Sequence, residues 1–109
     1  MAQDIPGTML LDPDVIDDPY PFYRRLHAEA PVWRVPDTEV CVISSYAYVA
    51  EATGRVDDFS SSMHHLLYRG DDGLPARLPL GDGTQILAVA DPPVHTLHRN
   101  CLLYTSRCV

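Results

Sequence analysis

Asp91-Pro92-Pro93-Val94-His95-Thr96-Leu97-His98-Arg99 is the stretch on which the fold turns. An aspartate followed by two prolines predicts a helix start. Asp is a favoured N-cap, and proline fits the first turn, where no amide partner is needed. On a helix begun after Asp91, His95 and Arg99 stand at i and i+4 and are neighbours, with His98 beside them. Cations near a helix N-terminus are mildly unfavourable on their own. An anion placed among them reverses that sign and gains charge-assisted hydrogen bonds. The residues leave two readings open: a clamp for a carboxylate or phosphate, or an exposed basic turn on a solvated helix.

Upstream of this stretch, Ile86 to Ala90 is a brief apolar run. From Val56 to Ala90 the glycines and prolines Gly70, Gly73, Pro75, Pro79, Gly81 and Gly83 break any period and predict a long loop. Before it, Ser44 or Ser45 caps a helix from Tyr46 to about Thr53, with Gly54 as a left-handed stop. Val32–Val35 and Val40–Ile43 flank Pro36-Asp37-Thr38-Glu39 and read as a hairpin, with Cys41 buried in its second strand. A further helix starts at an Asp18 cap with Pro19 in first position. Phe22, Leu26 and Ala30 share one face with Tyr23 beside them, and Pro31 stops the helix. Residues 1–17 are expected to be an extended lead-in, with turns at Asp12-Pro13-Asp14. The class is mainly α with a small β-sheet.

The composition excludes several functions. The chain has 109 residues, a formal net charge of -7 and eight basic residues, all arginine. An acidic chain without a basic run is unsuited to nucleic acid or to an anionic membrane surface. No apolar stretch approaches the roughly 20 residues that span a bilayer. The start has neither the basic nor the apolar region of a signal peptide. Cys41, Cys101 and Cys108 make an odd count without CxxC spacing, which argues against a disulfide framework or a standard zinc site. The expected location is the cytoplasm.

Taken in order, the chain resembles the N-terminal part of bacterial cytochromes P450 over roughly residues 12 to 100. Asp18-Pro19-Tyr20-Pro21-Phe22-Tyr23-Arg24-Arg25-Leu26 resembles the family's first helix, and Pro31-Val32-Trp33 the start of its first sheet. Val42-Ile43-Ser44-Ser45-Tyr46-Ala47-Tyr48-Val49 resembles the strand leading into the second helix, and Phe59-Ser60-Ser61 the step that follows. Asp91-Pro92-Pro93 with His95-Thr96 and Arg99 resembles the family's Asp-Pro-Pro-x-His-Thr helix. Val94, Leu97 and His98 depart from the usual pattern there, and His95 and Arg99 themselves match it.

The resemblance implies an incomplete P450 fold and a haem-thiolate monooxygenase parent. That parent would bind haem b with its iron, take electrons from a ferredoxin or flavoprotein and insert one oxygen atom into a small organic substrate. It implies that His95 and Arg99 hold a haem propionate. The segment from about Met63 to Val89 falls at a substrate-recognition position. Met63, Leu66, Leu67, Ile86 and Leu87 are candidates there for lining a pocket, or for merely packing the loop. The thiolate Cys, in a Phe- and Gly-containing loop, lies downstream in the family, and Cys41, Cys101 and Cys108 lack that context. The chain alone is therefore expected to be inactive. Residues 1–100 are read as the P450 part. The tail 101–109 is read as non-native, because it resembles translated sequencing-adapter sequence.

Two other readings stand beside this one. The chain could be a free-standing acidic binding module that uses His95, His98 and Arg99 on an anionic ligand. A metal site from His64, His65, His95 and His98 is weaker, because adjacent histidines point in two directions.

Overall fold

A computed structural model describes residues 4–81 and 86–107; Gly83, Cys108 and Val109 lie outside the described residues. The described part of the lead-in, residues 4–17, is not extended. A 3-10 turn at Gly7–Met9 precedes the short helix α1, Pro13–Asp17. Asp12 caps α1, its carboxylate accepting the Asp14 N–H at 2.9 Å. The Asp-Pro pair at 12–13 is thus a helix start rather than a pair of turns.

Helix α2 spans Tyr20–Glu29. Pro19 is its N-cap, without a side-chain bond, and Asp18 instead ends α1, its N–H donating to the Asp14 carbonyl. The expected face is the observed one: Phe22, Leu26 and Ala30 are buried. They pack with Trp33, Val35 and Ile5 in one apolar cluster. Phe22 and Trp33 meet edge to face, with ring centroids 5.7 Å apart, a geometry the aromatic quadrupole favours. Arg25 holds the lead-in to this core, bonding Glu29 at 3.2 Å and the Asp4 carbonyl at 3.4 Å.

Strands β1 (Val32–Arg34) and β2 (Cys41–Ile43) pair antiparallel, Trp33 opposite Val42. Thr38 Oγ1 closes the connection, donating to the Val35 carbonyl and accepting from the Val40 N–H. Asp37 takes a left-handed φ of 59° there, which a short polar side chain tolerates. Cys41 is exposed, contrary to expectation. It pairs with Arg34, and opposite residues share a face. Trp33 and Val42 take the inner face, so Arg34 and Cys41 take the outer one.

Helix α3 spans Tyr46–Gly54, with Ser45 Oγ accepting the Tyr48 N–H. None of its residues is buried, and Tyr46 is 89% exposed. Gly54 is helical and Arg55 forms the C-cap, so no left-handed glycine ends this helix.

The expected loop 56–90 contains a second hairpin: β3, His65–Arg69, against β4, Pro75–Pro79. Its prolines are compatible with pairing for a specific reason. The Gly70 N–H donates to the Leu74 carbonyl, and the Leu80 N–H to the His64 carbonyl. Antiparallel ladders alternate bonded and non-bonded pairs. Pro75 and Pro79 therefore fall at non-bonded positions, where an absent N–H removes nothing. Gly73, with φ +80°, makes the turn.

A second 3-10 turn, Leu87–Val89, leads to helix α4, Val94–Arg107. This helix runs unbroken across the Asn100/Cys101 boundary at which the tail was expected to begin.

Candidate functional site

The start of α4 carries the candidate site. The Asp91 carbonyl accepts the His95 N–H at 2.9 Å, and the Pro93 carbonyl accepts the Leu97 N–H at 3.1 Å. The Asp91 side chain does not cap its own helix. It reaches back 30 residues, Oδ2 accepting from Ser60 Oγ and Oδ1 from the Ser61 N–H at 2.8 Å. Ser60 Oγ in turn accepts the Ser62 N–H at 2.9 Å. The Ser60 hydroxyl, then the Ser61 N–H, hold the Asp91 carboxyl below its ordinary range. The charge of His64 acts in the same direction.

His95 is half-buried and Arg99 exposed, one helical turn apart, with His98 half-buried beside them. Neither the His95 nor the Arg99 side chain hydrogen-bonds or ion-pairs with another described residue. At i and i+4 on one helix, the two side chains are neighbours on its surface.

The other expected site residues do not converge. Met63, Leu66, Leu67 and Ile86 are exposed, and Leu87 is half-buried. Leu66 and Leu67 are consecutive in β3 and so face opposite sides of the hairpin. A groove of about 1060 Å³ lies elsewhere, between the β1–β2 hairpin and Pro75–Arg77 of β4. An Arg77–Glu39 ion pair at 3.2 Å joins its walls. Among the described residues, no group of three or more His, Cys, Asp or Glu side chains is placed to hold a metal ion. No helix among them is long and apolar enough to cross a membrane. The clamp from Asp91 to Ser60 was not anticipated; the Phe59-Ser60-Ser61 step is the signal that could have suggested it.

Comparison with known proteins places the chain beside cytochrome P450 hydroxylases. Cytochrome P450 144 of Mycobacterium tuberculosis is 36% identical over 91 residues, covering 81% of this chain and 21% of that protein. Beta-dihydromenaquinone-9 omega-hydroxylase of Mycobacterium bovis is 37% identical over 91 residues, 84% of this chain and 16% of that protein. The chain thus spans about a fifth of the length of the first of these relatives. No family model matches it. An uncharacterized protein in the aroQ 3' region of Enterobacter agglomerans is 36% identical over 89 residues, 79% of this chain and 91% of that protein. The chain belongs to the same family as this short protein.

Proposed function

We propose that the chain is a segment of a cytochrome P450 monooxygenase, in which His95 and Arg99 hold a propionate of haem b. The observation that carries this reading is the 36% identity over 91 residues with cytochrome P450 144. The unpartnered His95/Arg99 pair supports the site. In the whole protein, bound haem would supply the iron at which one atom of O2 is passed to a small organic substrate, with electrons from a ferredoxin or flavoprotein. The role of this segment is to bind and orient the cofactor's carboxylate edge. A cytoplasmic location goes with that reading.

A chimera tests it. The matching segment of cytochrome P450 144 is replaced by residues 12–100 of this chain. The chimera is expected to retain haem and, once reduced under carbon monoxide, to give the difference band of thiolate-ligated haem. A folded chimera without haem overturns the proposal.

A second reading is favoured by the Enterobacter agglomerans relative, which the chain covers over 91% of its length. In it the chain is a free-standing acidic module holding an anionic ligand at His95, His98 and Arg99. That reading requires the 109-residue chain to unfold in one cooperative transition; a broad melt rejects it.

A further inference from the structure

We propose that Asp91 is a positioning residue for the His95/Arg99 anion site, acting through Ser60 and Ser61. This inference rests on the proposed role of that pair. The geometry gives Asp91 two attachments. Its carboxylate accepts from Ser60 Oγ and from the Ser61 N–H at 2.8 Å, while its own carbonyl accepts the His95 N–H at 2.9 Å. One residue therefore links the connection after α3 to the backbone of the first candidate ligand-binding residue.

Among the described residues, the main packing of this helix is against the 3-10 turn Leu87–Val89 that precedes it. Leu97 and Tyr104 are 63% and 73% exposed. Among the described residues, no other hydrogen bond joins Asp91–Arg107 to a residue before Ile86. Without the carboxylate clamp, the start of α4 could turn relative to the Ser60–Ser62 segment, carrying His95 and Arg99 with it. A two-donor site recognises an anion only while both donors point at it. Ser60 is itself held by the Ser62 N–H at 2.9 Å, so the hydroxyl that meets Asp91 is oriented before it does so.

The test measures a preference rather than a single affinity. Haemin and its dimethyl ester are titrated into the 109-residue chain. The ester keeps the porphyrin but removes the carboxylate charge. The unsubstituted chain is expected to prefer the free acid by about tenfold or more, the size of one charge-assisted hydrogen bond. His95→Ala with Arg99→Ala should abolish the preference. Asp91→Asn and Ser60→Ala should each reduce it severalfold, and the double variant no further than Asp91→Asn alone, because the Ser60 bond is one of the two that the Asp91 carboxylate accepts. Ser60→Thr, which keeps the hydroxyl, should retain it. General loosening of the chain would weaken acid and ester together and leave the ratio unmoved. A full preference in Asp91→Asn, lost on changing His95 and Arg99, overturns the positioning role and leaves the anion site standing. Absence of any preference in the unsubstituted chain overturns both.

Discussion

Asp91 accepts two hydrogen bonds as a carboxylate and one as a carbonyl, and its response to acid follows from the first two. Its folded pKa is lowered, chiefly by Ser60 and then by Ser61. The stabilisation it gives is therefore complete above the ordinary carboxylate pKa and is lost as pH falls through the lowered one. The Ser61 amide resonance should stay constant down to the ordinary carboxylate range and move only below it. Movement centred above that range would contradict the clamp. Trp33 is the other decisive residue, 1% exposed at the centre of the core. Trp33→Ala should cost about 3–5 kcal/mol, enough to unfold so small a core, seen as loss of dispersion in the amide spectrum. Not all of this was legible. Asp91 reads as a cap because local sequence shows only local partners, whereas its actual partners lie 30 and 31 residues away. Cys41 reads as buried because a short apolar run does not reveal which face of a strand each residue takes.

The elements divide by how locally they are determined. Helix α2 was legible, since its apolar period and flanking prolines need no outside information. The β1–β2 hairpin was legible for the same reason, through its polar turn. The β3–β4 hairpin was hidden, because prolines count against a strand until the register shows that they avoid the ladder. Its turn depends on Gly73, whose φ of +80° suits only glycine and whose added Cβ would lie 3.3 Å from Thr8 Cγ2. Gly73→Ala should destabilise this hairpin by about 1 kcal/mol. Amide exchange at Leu66 and Leu78, which face each other at a bonded position of the ladder, should quicken while Val42 is unchanged. Equal quickening at all three would show that the two hairpins form one cooperative unit.

Across the molecule the apolar burial is uneven. The packed cluster draws on the lead-in, α2 and the first hairpin, while α3, β3–β4 and α4 leave large apolar side chains such as Tyr46, Leu66 and Leu102 exposed. Stability should follow the same division. Amide protection is expected to persist in α2 and β1–β2 at denaturant concentrations where α4 has already exchanged. A single common midpoint would favour the free-standing module instead. The proposed whole-molecule function rests, in the sequence, on the order of short motifs, since no one of them defines a site by its chemistry alone. The buried Trp33 has an optical consequence. It is the chain's one tryptophan, and its indole N–H has no hydrogen-bond partner in the core. Its emission should be blue-shifted and should report the first hairpin and α2 alone. Fluorescence will therefore be silent when α4 melts, and ellipticity will not.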